Sequence, residues 1–174
     1  ATISHEIRTP INGILGMINL ISNTTLTEEQ NKYLIMAKNS CEYLTNVVNS
    51  ILDYSKIEAG KFELEHINFD FLKLLNLTIE EFRIKANEKN LGLVLIIDKN
   101  INHYLNGDPN KLKQILVNLV NNAIKFTEKG KITLEVTKNR DFDNKLEIKF
   151  IVKDTGIGIP REKTNKLFKT FSQV

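Results

Sequence analysis

The chain has 174 residues, 41% of them apolar, and a formal net charge of +3, enough for one ordinary domain or a small helical module plus one more. Its charges are mixed, with no basic block or aromatic-interleaved patch, which argues against nucleic-acid binding. One cysteine excludes an internal disulfide framework and fits a reducing, cytoplasmic setting, and no apolar run approaches the roughly 18 residues that cross a bilayer.

The first predicted helix runs from the N-terminus to about Asn23. Ile3, Ile7, Ile11, Ile14, Ile18 and Ile21 follow steps of four and three and form its seam. At about 100° per residue, His5 sits roughly 200° from Ile7 and faces away from that seam. Pro10 removes a backbone donor just after His5 and is expected to bend the rod. Asn23–Thr27 reads as a turn, and Thr27 with Gln30 makes a capping box for a second helix. That helix carries Leu34, Ala37, Cys41, Leu44, Val48, Ile51 and Ser55 in the same alternation and stops near Ala59 and Gly60. A hairpin of two such helices leaves much apolar surface wet. Residues 1–59 are therefore expected to form a homodimer, two hairpins making a four-helix bundle.

After Gly60 the period changes. Phe62 and Leu64 alternate with charged residues and predict a strand. A helix follows at about Phe71–Lys89, a buried strand at Leu93–Asp98, a short strand near Tyr104 and a helix at about Asn110–Phe126. Two strands with clean alternation come next, Ile132–Val136 and Leu146–Val152, with Asn139–Asn144 as a polar loop between them. A short helix begins after Pro160. The fold class is α+β: a helical hairpin, then an α/β sandwich with a mixed sheet and helices on one side.

Three groups of residues carry chemistry. His5 has the carboxylate of Glu6 beside it, and a neutral imidazole can attack phosphorus; the plain alternative is an idle surface histidine. Leu112, Ile115, Leu116, Leu119 and Ala123 are the expected buried stripe of the 110–126 helix, while Asn118, Asn122 and Lys125 share another face. That face is either merely solvated or a place for a hydrated cation and phosphates: an Asn carbonyl is a hard ligand suited to Mg2+, and Lys125 is a point charge for phosphate oxygens. Asp154-Thr155-Gly156-Ile157-Gly158-Ile159-Pro160 follows a strand directly. It is either an ordinary turn or a loop in which Asp154 accepts from the exocyclic amine of adenine. His66 and His103 have no metal-ligand spacing with His5.

In this order the motifs resemble the transmitter core of sensor histidine kinases of two-component phosphorelays. Ser4–Pro10 resembles the H box, Asp108–Thr127 the N box, Asp154–Pro160 the first glycine box and Leu167–Gln173 the F box; Asp53–Lys61 is also similar to the family's connecting segment. The H box and its surroundings look most like those of hybrid kinases. The resemblance implies a dimerisation and phosphotransfer hairpin at 1–59 and an ATP-binding domain of the Bergerat, or GHKL, type at 60–174. It implies His5 as phosphoacceptor, Glu6 as the group assisting proton removal, and Thr9 as a water-orienting position. It further implies Asn122 as Mg2+ ligand, Asn118 and Lys125 as phosphate-side contacts, Phe126 as the adenine-side aromatic, Asp154 as the adenine reader, and Gly156 and Gly158 as the turn beneath ATP. The implied partners are a second copy of the chain and a response-regulator receiver domain, without membrane contact by these residues.

The chain begins inside an apparent helix and ends at Val174 without a stop signal, so it reads as a piece of a longer protein. The family's second glycine box does not follow the F box here. Weak ATP binding and poor autophosphorylation by these 174 residues, with local disorder at the C-terminal end, are the corresponding expectations. A non-catalytic dimeric docking module for a receiver is the alternative reading. An ATPase of the chaperone or DNA-repair kind is disfavoured by the H box on a dimerising hairpin.

Overall fold

The computed structural model describes residues 2–143 and 145–166 and divides into two compact units, Ala1–Glu63 and Leu64–Val174. The F box and the expectation of C-terminal disorder lie outside the described residues.

The first unit is a helical hairpin of α1 (Thr2–Ser22) and α2 (Glu28–Glu58). The capping box forms: Thr27 Oγ1 accepts from the Gln30 amide at 3.2 Å, and Gln30 Oε1 accepts from the Thr27 amide at 3.0 Å. Gly60, at φ +63°, ends α2. Its amide donates to the Ile57 carbonyl and that of Lys61 to the Lys56 carbonyl, so the last carbonyls are satisfied by a left-handed cap. α1 continues as helix through Pro10.

The isoleucine seam divides. Ile11 and Ile18 are buried at 5% exposure, against a half-buried line of Leu34, Cys41, Thr45, Val48 and Leu52 on α2. Ile7, Ile14 and Ile21, and Leu44 and Ile51 across from them, are exposed. The single apolar seam expected on each helix is thus two half-seams. A heptad pattern has two inward positions, and one partner helix covers only one of them.

Among its described residues the second unit holds two sheets and two long helices. β1 (Ile67–Asp70) pairs antiparallel with β3 (Tyr104–Gly107). β2 (Gly92–Ile97) runs parallel to β4 (Lys131–Phe142), which pairs antiparallel with β5 (Lys145–Asp154), giving the order β2-β4-β5. α3 (Phe71–Glu88) and α4 (Pro109–Phe126) cover one face of that sheet. Phe71, Leu75, Ile79 and Phe82 from α3 meet Leu116, Val120 and Ile124 from α4 over Ile132, Leu134 and Val136 from β4. Each helix starts on an aspartate cap: Asp70 accepts from the Lys73 amide at 2.8 Å and Asp108 from the Lys111 amide at 2.9 Å. α3 ends on Asn90 at φ +56°, a left-handed cap that asparagine tolerates.

Three expectations are corrected. Residues 61–66 are irregular, and the first strand begins at Ile67, because the segment with an antiparallel partner is 67–70 opposite 104–107. The polar stretch 139–142 is strand rather than loop. Arg140 pairs with Glu147 across the hairpin and Lys138 with Asp141, a bulge falls between Lys138 and Arg140, and Asp143 turns at φ +46°. On α4 the buried residues are Leu116, Val120, Ala123 and Ile124, whereas Ile115 and Leu119 are exposed. The core lies to the Val120 side of the predicted stripe.

Candidate functional site

α4 sets the geometry. Asn118 and Asn122 are one helical turn apart and Lys125 follows three residues on; all three are exposed. Opposite to them on the helix, Val120 and Ile124 are locked in the core, so the rod cannot rotate without loss of packing. Phe126 is exposed at the end of α4, and the Lys125 ammonium lies 5.1 Å from its ring centroid, a cation–π contact.

The glycine loop is joined to the same helix end. Ile157 donates its amide to the Phe126 carbonyl at 3.2 Å. A Cβ on Gly156 would meet that carbonyl oxygen at 2.4 Å, so only glycine allows the loop to lie this close. Gly158 sits at φ +68°. Asp154 ends β5 directly opposite Ile132; its Oδ1 accepts from the Gly156 amide at 2.8 Å, and Oδ2 has no partner among the described residues. The carboxylate is thus oriented with one acceptor still available.

Two further contacts brace the loop, neither visible from the motif. Thr155 Oγ1 donates to the Lys129 carbonyl and accepts from the Lys131 amide, both at 3.1 Å. Gly130 is at φ +110°, and a Cβ there would come within 2.2 Å of Thr155 Oγ1. Thr127 is fully buried, and its hydroxyl has no hydrogen-bond partner among the described residues. A threonine after a strand aspartate is too common a pairing to have drawn attention to itself.

On the hairpin, His5 lies in the helical backbone of α1, and its side chain is outside the described part. Glu6 and Thr9 are exposed on the same helix. Arg8 donates across to Asn49 Oδ1 at 3.4 Å, near the limit of a hydrogen bond. The structure therefore brings together Asn118, Asn122, Lys125, Phe126, Asp154, Gly156 and Gly158 in one unit, with His5, Glu6 and Thr9 on the other. Among the described residues no three His, Cys, Asp or Glu side chains form a metal-binding group.

Two carboxylates of the second unit are held below the ordinary range. The Asp98 carboxyl is lowered chiefly by the Asn100 amide, with help from the Lys138 amide. The Asp108 carboxyl is lowered chiefly by the Lys111 amide and further by that of Glu65.

Comparison with known proteins agrees with this layout. Residues 1–60 match the His Kinase A (phospho-acceptor) domain, and residues 107–173 match the histidine kinase-, DNA gyrase B- and HSP90-like ATPase family. The two matches stand in the order of a histidine kinase's phosphoacceptor part and its GHKL-type ATPase part, and the chain is similar to such kinases over nearly its whole length. It is 45% identical over 173 residues to hybrid signal transduction histidine kinase B of Dictyostelium discoideum, covering 99% of this chain and 9% of that protein. Against sensor histidine kinase GacS of Pseudomonas protegens the identity is 42%, over 99% of this chain and 19% of the relative. The chain thus spans about a tenth to a fifth of the length of these curated relatives. Among solved structures, full-length ShkA in complex with AMPPNP superposes with a TM-score of 0.76 at 35% identity, covering 99% of this chain and 36% of that one. The histidine kinase ThkA in complex with the response regulator TrrA gives 0.55 at 29%, over 99% and 49%.

Proposed function

We propose that this chain is the catalytic core of a two-component histidine kinase that transfers the γ-phosphoryl group of ATP to His5, from which it passes to an aspartate of a response-regulator receiver domain. The observation that carries the reading is the joining of the asparagine face of α4 to the Asp154 loop through the Phe126 carbonyl, in a chain that also bears a histidine-containing hairpin. Residues 1–59 are assigned to dimerisation and phosphotransfer, 60–174 to nucleotide binding.

The site residues fit an adenine nucleotide with Mg2+. Asp154 has an acceptor oxygen available for the adenine amine, a charge-assisted bond of about 1.5–3 kcal/mol. Gly156 and Gly158 keep the loop low beside the base, and Phe126 offers an aromatic surface to it. Asn122 supplies a neutral oxygen to the metal, with Asn118 and Lys125 directed to the phosphates. Mg2+ when bound neutralises phosphate charge. On the hairpin, Glu6 holds or removes the imidazole proton so that the other ring nitrogen of His5 can attack, and Thr9 orients water when the receiver is dephosphorylated. ShkA with AMPPNP and ThkA with TrrA support the nucleotide and the receiver as partners.

The exposed half-seam Ile7, Ile14, Ile21, Leu44 and Ile51 supports a homodimeric four-helix bundle. No described helix is long and apolar enough to cross a membrane, and a cytoplasmic location is part of the proposal. The test is incubation with γ-radiolabelled ATP. In the full-length protein, wild type is expected to acquire an acid-labile, base-stable label and His5→Gln none, with the helical signal unchanged. Label persisting in His5→Gln refutes the reading.

A further inference from the structure

The geometry points to Asp108 as a positioning residue for phosphoryl transfer: one carboxylate fastens the connector entering the nucleotide unit to the first turn of the helix that carries Asn118, Asn122 and Lys125. The inference rests on the kinase reading above and adds a residue that the motif chemistry does not use.

Asp108 spends its two oxygens on different parts of the chain. Oδ1 accepts from the Lys111 amide at 2.9 Å, the ordinary cap of α4. Oδ2 accepts from the Glu65 amide at 3.1 Å, 43 residues away in sequence. Glu65 lies two residues inside the boundary between the two units. The register explains why a side chain is needed there. Ile67 pairs with Gly107, so continuing the antiparallel ladder by two would set Glu65 against Pro109. Pro109 is already the first residue of α4 and cannot extend a strand. The Asp108 carboxylate takes the place of that missing ladder acceptor.

The cap alone does not require this arrangement, since serine or asparagine caps a helix as well. Only a carboxylate offers two strong acceptors at once. Segment 61–66 has no strand pairing, and the clasp holds its backbone at Glu65. Movement of the connector upstream of Glu65 therefore reaches the amino end of α4 through this carboxylate. The clasp bears on where the nucleotide site is held, and not on the atoms that contact the nucleotide.

Two variants separate these roles. Glu65→Pro removes the donor and leaves the cap of α4. Asp108→Ser keeps a capping oxygen but cannot hold both amides. In each, ATP affinity measured by calorimetry is expected to stay within about twofold of wild type. In the full-length protein the rate of label transfer to His5 falls at least fivefold, and amide exchange at Leu64 and His66 accelerates while α4 stays protected. Transfer rates within twofold of wild type in both variants overturn the inference, as does a loss of transfer that only parallels a loss of ATP affinity. Full-length wild-type protein that labels no histidine sinks the kinase reading and this inference together, whereas normal wild-type labelling with unaffected variants sinks this inference alone.

Discussion

The hairpin buries Ile11 and Ile18 and no residue of α2, whereas the α/β unit closes a continuous core from Phe71 to Val136. Both have apolar residues in regular periods. The difference is geometric: a sheet with two helices on one face covers itself, while two helices cover only half of each other's seam. Apolar surface stays uncovered within one protomer in the first unit, and in the second it is used at home.

The comparison is most sharply tested in the core. Leu116→Ala deletes a fully buried side chain between α3 and β4 and should cost about 2–5 kcal/mol. Calorimetry should show the α/β transition moving down while the hairpin transition stays; a joint shift would mean the units do not melt independently.

A smaller effect is expected at Ile14, which is 49% exposed within one protomer. By its own surroundings, Ile14→Glu should be nearly neutral. As a bundle-seam position it should weaken dimerisation at least tenfold, about 1.4 kcal/mol, with the α/β transition unchanged. Sedimentation with wild-type-like association would remove the half-seam as evidence for a dimer.

The smallest effect is acid sensitivity confined to the α/β unit. Asp98 and Asp108 have folded values below the unfolded carboxylate value of about 3.9. Their contribution to stability is present above that value and is lost as pH falls through the folded one. Asp98→Asn should flatten the decline below about pH 4; an unaltered acid melting curve would count against the bond from the Asn100 amide.

Much of this was legible in the amino acids. The Thr27 and Gln30 box and the limits of α3 and α4 follow from local chemistry and period. So does the face shared by Asn118, Asn122 and Lys125. What escaped depends on distant partners. Phe62 and Leu64 alternate well but have no strand opposite them, whereas Ile67–Asp70 finds one in Tyr104–Gly107. Asn139 and Asp141 suggest a loop, yet the cross-strand pair of Arg140 and Glu147 accompanies a ladder through 142. Ile115 and Leu119 fit the helical period of a buried stripe, but the core lies to the Val120 side. In the site, the bracing of Thr155 against residues 129–131 and the double use of Asp108 join segments far apart in sequence, and no spacing rule announces either.

The uncovered isoleucines have a practical corollary. If a second copy supplies their burial, dilution acts as a denaturant on one half of the molecule and leaves the other indifferent. Copy number would then govern how much of the phosphoacceptor is folded, while the ATPase half stays folded even when scarce.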